Sequence, residues 1–432
     1  MTALVPSARQ RSRGPWNELH EAAFLGSIKR SDAILAKGCI DIDQGSQNGD
    51  TPLMIAADQG FPSMTSFLLS KGADVSASND TRYTALHNSA RNGYLEATKM
   101  LVKAGANLET RIVNGATALH MSATGGHSKV MGVLIEAGAK VNSCLPNGQT
   151  PLHGAAGGGH MDAVKMLIRA KADPSLGTTV CPGRCYLPLH AATLGGHAEV
   201  VRELIGCLGV AGCGGETGIR CALHLAAKDN NVALVAAMFD GGVVNTGQVL
   251  MCATFTGSEP CVKFLLQQQR DKEKLSAYVN FVDTDGTTPL LGSIASLLCS
   301  PRVVRLLLDA GADTTLAARF LMSREREIFH GTPLALTARF LNKQKTLGTS
   351  AYSKEQLNRL EGIRHLLLQA GAVHAVSWLW ASESRCIANS TRRATKTRTL
   401  LTQLRTMMPM MRRQAGARRV VWTAAFRWVV IV

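Results

Sequence analysis

Residues 116–141 read ATALHMSATGGHSKVMGVLIEAGAKV, and residues 149–174 repeat the pattern as QTPLHGAAGGGHMDAVKMLIRAKADP. The two stretches match at Thr, Leu, His, Gly-His and a closing apolar run, so that Leu119 and Leu152 lie 33 residues apart. A fixed period of this length indicates an array of small units, because such a unit buries its apolar face only against its neighbours.

The period extends well beyond these two units. The anchoring leucines, at intervals of 34, 33, 33, 33, 37 and 34 residues, are Leu19, Leu53, Leu86, Leu119, Leu152, Leu189 and Leu223. The next interval, to Leu250, is only 27, and later units anchored by TTPLLGSIAS and GTPLALTARF carry insertions. We expect about ten units over residues 16–375, regular from 49 to 240 and degenerate afterwards.

Each unit is predicted to contain two short helices. Thr of the Thr-Pro-Leu pattern is suited to cap the first helix, and Pro at the first helical position loses no required donor. A glycine such as Gly126 then ends that helix, where a left-handed residue is favoured. The second helix carries apolar side chains at helical spacing, for example Val130, Val133 and Leu134.

The recurring Thr-Pro-Leu-His, Ala-Ala, Gly-His and Gly-Ala-Asp residues resemble those of the ankyrin repeat family over residues 16–375. The resemblance implies an all-α ankyrin solenoid of helix-turn-helix units with hairpin-like turns. It also implies a non-enzymatic protein-interaction scaffold or adaptor that binds a partner protein through its concave surface. A substrate-recognition subunit of a ubiquitin ligase is the alternative of the same class, although no recruiting sequence is recognisable.

Histidines recur seven residues apart, as in His120 and His127, and this pattern raises the question of a metal site. Seven residues of helix span roughly 10 Å, whereas zinc needs each nitrogen within about 2.1 Å. The ankyrin pattern instead implies that the first histidine bonds backbone and the Thr hydroxyl. We therefore interpret these residues as structural repeat histidines: His20, His87, His120, His153, His190 and His224.

Other catalytic and cofactor motifs lack required residues. LHEAAF at His20 has Phe24 where a zinc protease needs a second His. No Gly-Lys-Ser/Thr occurs, so a P-loop is excluded. Cys181 and Cys185 form one close pair where zinc sites show two, so free thiols are expected. We predict no catalytic residue, metal, cofactor or small-molecule substrate, and therefore no enzyme.

In ankyrin-like proteins, partner contacts concentrate at the turn tips, at the residue after the first His and at the two residues before the Gly. Carried onto this chain, the expected partner-binding residues are Arg82, Tyr83, Asn88, Arg91, Asn92, Met121, Thr124, Gly154, Gly157 and Gly158. The glycines have two interpretations: close approach of a partner's backbone, or drift at a tolerant surface.

The net charge of +16 lies mostly at the two ends. Residues 1–13 carry three Arg, and residues 385–432 carry ten Arg and one Lys, both without an acid. We expect residues 1–15 to be a disordered basic N-terminus and residues 376–432 a basic, partly amphipathic helical tail, in which Leu400, Leu404, Met407 and Met411 share one face.

The tail leaves three interpretations open: a helical cap over the last unit, a segment lying on an anionic membrane, or a segment for an acidic partner or nuclear import. Nucleic acid is not the expected partner, because the body is nearly neutral and aromatics do not interleave with the Arg clusters. Eleven scattered Cys and the lack of a signal peptide favour the cytoplasm, with the nucleus or a membrane surface as alternatives.

Overall fold

The computed structural model describes residues 15–181, 184–244, 246–269, 271–283, 286–296, 300–316, 318–322, 327–347 and 353–371. Almost all of the basic N-terminus and all of the predicted tail, residues 376–432, therefore lie outside the described residues. None of the helices described is long and apolar enough to cross a lipid bilayer.

Helices and two short hairpins make up the regular structure. In the first five units the helices are α1 Glu18–Phe24, α2 Ile28–Ala36, α3 Pro52–Gln59, α4 Pro62–Ser70, α5 Ala85–Asn92, α6 Leu95–Lys103, α7 Ala118–Thr124, α8 Ser128–Glu136, α9 Pro151–Gly157 and α10 Met161–Arg169. Later helices are α11 Pro188–Leu194, α12 Ala198–Gly212, α13 Gly215–Lys228, α14 Val232–Asp240, α15 Gly247–Thr256, α16 Glu259–Gln268, α17 Lys272–Val279, α18 Pro289–Ala295, α19 Pro301–Asp309, α20 Pro333–Leu347 and α21 Lys354–Gln369.

The helices form ten antiparallel pairs, with α17 as an extra helix between two of them. The first helices of successive pairs pack on one another as one layer, from α1 through α3 and α5 to α20. The second helices form a parallel layer behind them. Each pair contacts mainly the pairs before and after it, which is the architecture of a solenoid.

Two antiparallel hairpins project from turns between pairs. β1 Thr178–Cys181 pairs with β2 Arg184–Tyr186, and β3 Ala318–Met322 pairs with β4 Glu327–Gly331. The second hairpin runs in register over five pairs, from Ala318 opposite Gly331 to Met322 opposite Glu327. These hairpins occupy the hairpin-like turns that the all-α prediction included. The described residues therefore form a helical solenoid in which two of these turns are extended into short β-hairpins.

The helix boundaries follow from local chemistry. Thr51 and Thr288 accept hydrogen bonds from the amides at the third helical position, and proline follows each of them. Gly60 and Gly126 have φ of 75° and 72° at the ends of first helices, a backbone conformation that Gly adopts without steric cost. The short helices therefore begin and end where the repeat pattern predicted.

The core is a continuous apolar strip between the two helix layers. It is built from small alanines in the first helices and Leu, Val and Ile in the second, as with Ala123 and Ala156 facing Leu134 and Leu167, all fully buried. Small residues in the first layer let neighbouring helices approach closely, and this explains how a chain with so few aromatics closes a core.

Candidate protein-binding face

The first-helix layer has one side that no other helix or strand of the described residues covers, here called the open face. It is formed by the side chains two positions before each helix terminator: Phe24, Asp58, Arg91, Thr124, Gly157, Leu194, Lys228 and Phe255. All are exposed except Asp58 and Gly157, which are half-buried. Because their backbones are fixed by the packed layer, these positions form a preorganised strip that changes character from unit to unit.

Near its N-terminal end the open face carries a cross-unit polar cluster. Arg91 Nη2 lies 3.0 Å from Asp58 Oδ1. Asn92 Nδ2 donates to the carbonyl oxygen of Asp58 at 2.9 Å and to its carboxylate at 3.0 Å. The Arg91 guanidinium also lies 5.6 Å from the centre of the Tyr83 ring. Asp58 neutralises the basic character that the sequence predicted here, and the contacts hold Arg91 in place.

Two of the predicted partner-binding residues in this region differ in accessibility. Asn88 is buried, and its amide donates to the carbonyl oxygen of Met54 at 3.2 Å, so it joins α5 to α3. Arg82 is exposed at a turn tip with φ of 62°. The fourth helical position is buried at Ile55 and Ala191 as well but half-buried at Met121 and Gly154, so a partner-binding role for Asn88 stays a prediction that its burial does not favour.

The middle of the open face lacks large side chains. Met121, Gly154 and Gly157 are half-buried, whereas Thr124 and Gly158 are exposed. A Cβ on Gly154 would lie 2.5 Å from Thr124 Oγ1, and one on Gly158 would lie 2.5 Å from His160 Nε2. Packing within the protein thus explains why glycine occupies positions 154 and 158. This explanation stands beside the two given by the sequence, close approach of a partner's backbone and drift at a tolerant surface.

Gly157 differs from its neighbours. A Cβ there would meet only Ala191, at ordinary distances of 3.6 Å from its Cβ and 3.9 Å from its carbonyl oxygen. The next open-face position, Leu194, is 53% exposed. Gly157, which is half-buried and has no side chain, is therefore followed along the open face by the exposed Leu194. Sequence reasoning missed Leu194 and Phe255, although both occupy the register position of Arg91 and Thr124.

The first histidines of the units complete the helix starts. Nδ1 of His87 accepts hydrogen bonds from the amide and the hydroxyl of Thr84, three residues earlier, and His153 makes the same bonds with Thr150. On the other side of the ring, Nε2 donates to a backbone carbonyl oxygen farther along the chain: Thr110 for His87 and Tyr186 for His153, both at 3.0 Å. His20 and His190 make the same two-sided connection without a Thr hydroxyl. Each ring thus joins the start of its own helix to the chain of the following unit, which at Gly218 is already helix α13.

Burial governs the ionisation of these rings. It lowers the pKa of His87 and of His120 to about 4, and it lowers the pKa of His20, His153 and His190 as well. A neutral ring with one donor and one acceptor nitrogen is what both hydrogen bonds require. These are structural roles, and the rings face the protein interior.

Two members of the predicted histidine set depart from this geometry. His120 keeps its contacts to Thr117, but its buried Nε2 has no hydrogen-bond partner among the described residues. His224 is exposed in the middle of α13, which begins nine residues earlier at Gly215. The chain before His224 forms helix where other units form a turn, so His224 does not lie at a helix start, and its role as a structural repeat histidine stays a prediction.

The second histidines of the units bind to the preceding unit, whereas the first histidines bind to the following one. Nε2 of His127, His160 and His197 donates to the carbonyl oxygens of Arg91, Thr124 and Gly157, respectively, at 2.9–3.0 Å. Each ring also covers the left-handed glycine of the previous unit, as His127 covers Gly93. Tyr94 over Gly60 and Phe61 over Gly26 continue the series. We call these the inter-unit ring contacts.

The two kinds of histidine therefore point to different units, and the pairs do not converge on one ion. Among the described residues, no group of three or more His, Cys, Asp or Glu side chains is placed to hold a metal. The described thiols of Cys213, Cys252 and Cys261 are buried, and burial raises their pKa, which disfavours the reactive thiolate.

Comparison with known families agrees with the geometry. A model of ankyrin repeats matches in three copies, over residues 19–112, 108–178 and 223–318. These ranges cover more than half of the chain, which therefore belongs to the ankyrin repeat family. Ankyrin repeats form protein–protein interaction domains and are a non-enzymatic fold.

Individual relatives match over short stretches. The chain is 41% identical over 69 residues to human NAD-capped RNA hydrolase NUDT12, covering 16% of this chain and 15% of that protein. It is 40% identical over 62 residues to protein phosphatase 1 regulatory subunit 27 of Mus musculus, covering 14% of this chain and 40% of that protein. The chain thus spans a minor part of either relative, and neither name transfers to it.

Proposed function

We propose that this protein is a non-enzymatic scaffold or adaptor that binds a partner protein through the open face between Tyr83 and Leu194. The observation that carries the proposal is the contrast along this strip: a fixed Tyr83–Arg91–Asp58 cluster at one end, and at the other Gly157, which has no side chain, followed by the exposed Leu194. Tyr and Arg are the residues most often found at binding hot spots.

Preorganisation supports this choice of surface. Arg91 is held by Asp58 and lies over Tyr83, so a partner that contacts it immobilises few additional rotamers. Immobilising a free side chain costs about 0.5–1.5 kcal/mol in an interface, so prior ordering favours affinity. A carboxylate or backbone carbonyl of the partner is suited to the remaining guanidinium donors.

Gly157 and Leu194 define the other half of the contact. With no side chain at Gly157 and only a hydroxyl at Thr124, a partner helix or strand can approach the α7–α9 surface closely, while Leu194 supplies apolar contact. We therefore expect a partner segment with a small or apolar residue opposite Gly157 and an acidic group opposite Arg91.

The test is proximity labelling and affinity capture with full-length protein carrying Thr124→Glu and Gly157→Glu. Both positions tolerate a longer side chain, so loss of a partner reports on the surface and not on the fold. Gly158 is avoided because a side chain there would displace His160. The control carries Ser63→Glu and Ser66→Glu, which add the same charge at exposed positions of α4. Identical partner sets for the wild type, the Thr124→Glu, Gly157→Glu variant and the control variant would reject the proposal.

Residues 385–432 add a second, independent element to the proposed scaffold. Their eleven cations suit an anionic membrane or an acidic partner surface. Sedimentation with anionic and neutral liposomes, with and without residues 385–432, distinguishes the two: binding to anionic vesicles that depends on this segment favours the membrane.

A further inference from the structure

The first unit exposes a cluster of large apolar side chains. Trp16 is 51% exposed, Phe24 46% and Leu25 57%, and the Trp16 and Phe24 rings meet edge to face at 6.2 Å. Phe61, 36% exposed, continues the surface through its contact with Gly26. We call these four residues the N-terminal patch.

Among the described residues, the other exposed apolar side chains are spread over later units, including Tyr94, Leu194 and Phe255. Val113, Val244 and Val282 belong to separate turns, where single exposed apolar residues need no explanation. Terminal units of a solenoid normally present a polar outer surface, because nothing packs beyond them. Contiguous apolar area on a terminal unit therefore indicates a surface that is covered in the working protein.

The surroundings of the patch are acidic. Residues 15–50 contain six Asp or Glu against three Lys or Arg, in a chain with a net charge of +16. Glu18 and Glu21 are exposed in the first turn of α1, next to the patch. Glu21 pairs with Arg30 at 2.8 Å, whereas Glu18 forms no ion pair with any described residue. The occupant is therefore expected to be apolar on one side and basic on the other.

The chain itself contains a segment of this chemistry. Residues 398–413, RTLLTQLRTMMPMMRR, combine Leu400, Leu404 and Met407 at helical spacing with four arginines and no acid. This segment lies outside the described residues, and the described chain ends at Gly371 with 61 residues still to follow. Apolar and charge complementarity to the N-terminal patch are both present in one sequence.

Distance decides between an intramolecular and an intermolecular contact. Ten first helices spaced by about 8–10 Å place α1 and α20 about 70–90 Å apart. Residues 372–397 reach about 85–95 Å only when fully extended. Contact within one chain would thus require almost complete extension, whereas contact between two chains has no such requirement.

We propose that the N-terminal patch binds residues 398–413 of a second copy of this protein, head to tail. Such an interface joins different surfaces on the two copies, so a dimer joined by one contact leaves one patch and one segment free. Association is therefore open-ended and depends on concentration. It is also weakened by salt, because the charges at the rim are exposed.

The test is sedimentation velocity of the full-length protein over a hundredfold concentration range. The wild type is expected to grow from monomer to species beyond a dimer. Phe24→Ser with Leu25→Ser is expected to raise the dissociation constant at least about tenfold, since two exposed apolar anchors are removed. Leu194→Ser, at an equally exposed position of the open face, is expected to have no effect.

A complementation experiment makes the test specific to the head-to-tail arrangement. The patch variant keeps its tail segment, and a Leu404→Glu, Met407→Glu variant keeps its patch. Each alone is expected to be monomeric, and an equimolar mixture is expected to stop at a one-to-one dimer. Glu18→Lys, which leaves the apolar surface intact, should weaken wild-type association by several fold.

A wild type that stays monomeric throughout the range, a patch variant that associates normally or a mixture without dimers would each overturn the proposal. Far-ultraviolet circular dichroism of each variant shows whether its fold is intact. Removal of residues 1–14, the other segment adjoining the patch, is expected to leave association unchanged, and a loss of association on this removal would equally contradict it.

Discussion

At the scale of single residues, Lys171 marks a position where the repeat pattern is broken. Its φ is 64°, while the equivalent residues after the other second helices, such as Gly72, Gly105 and Gly138, are glycines with φ of 83–92°. A side chain in the left-handed region costs roughly 1 kcal/mol. The chain therefore stores a small strain at the end of α10.

Lys171→Gly is expected to raise the free energy of unfolding by about 0.5–1 kcal/mol, because the strain is relieved at a modest cost in unfolded-state entropy. Urea denaturation followed by circular dichroism measures the change. The reciprocal control, Gly105→Lys, should lower stability by a similar amount, and a destabilised Lys171→Gly would show that the lysine side chain has an essential contact.

Gly157 and Gly158 are adjacent but are expected to respond oppositely to alanine. Gly157→Ala adds a methyl at ordinary van der Waals distance from Ala191 and should be neutral or stabilising by up to about 1 kcal/mol. Gly158→Ala places a methyl 2.5 Å from His160 Nε2 and should cost about 1–3 kcal/mol. Thermal unfolding of the two variants tests this difference, and equal midpoints would argue against the His160 placement.

Residue roles were predictable where one unit contains the whole interaction and unpredictable where two units share it. The bond between Thr150 and His153 spans three residues and follows from the pattern of one unit. The pair of Arg91 with Asp58 spans 33, one full period, so a single unit shows only an unpaired arginine. Comparing the same position in successive units would have revealed the partner.

At the scale of elements, the buried histidines at the helix starts make the free energy of unfolding depend on pH. His87 and His120 have a pKa of about 4 in the folded chain because of burial, against about 6.5 when unfolded. Between these values the unfolded state binds more protons, so stability is complete above pH 6.5 and falls as the pH approaches 4. Each ring contributes up to about 3 kcal/mol of this loss.

His120→Met tests the origin of the acid sensitivity. Met54 occupies the same helical position in the second unit, with its sulfur 3.4 Å from the Thr51 amide, so the fold accepts the change. The variant should retain most of its stability at pH 7.5 and lose less than the wild type on acidification to pH 4.5. Parallel denaturation curves of both proteins at the two pH values would show the difference, whereas identical pH slopes would contradict it.

Helix boundaries after residue 200 were harder to predict. The pattern RCALHLAA matches a first helix, yet α13 starts at Gly215 because residues 215–222 continue the helix backward where other units turn. α20, which starts at a Thr-Pro, extends to Leu347, directly before Gly348. No Thr-Pro marks the start of α13, and the repeat pattern therefore did not predict it.

At the scale of the whole molecule, the solenoid transmits disturbances only to neighbours. Leu134→Ala in the fully buried core of the fourth unit should cost about 2–5 kcal/mol locally. Amide hydrogen exchange should accelerate in α7 and α8 and, less strongly, in the adjoining pairs, while α18 and α19 keep their protection. Uniform acceleration along the chain would indicate one cooperative block instead.

The inter-unit ring contacts bear on how such an array can lengthen or shorten over generations. From Gly26 to His197, each unit offers a bare glycine to its successor and a ring to its predecessor, so a duplicated or deleted unit restores the joint automatically. The series stops at Gly196, which no ring covers. Gene rearrangements that add or remove whole units before Gly196 are therefore expected to leave the fold intact. The same rearrangements after Gly196 are expected to destabilise it, because the glycine–ring contact does not recur there.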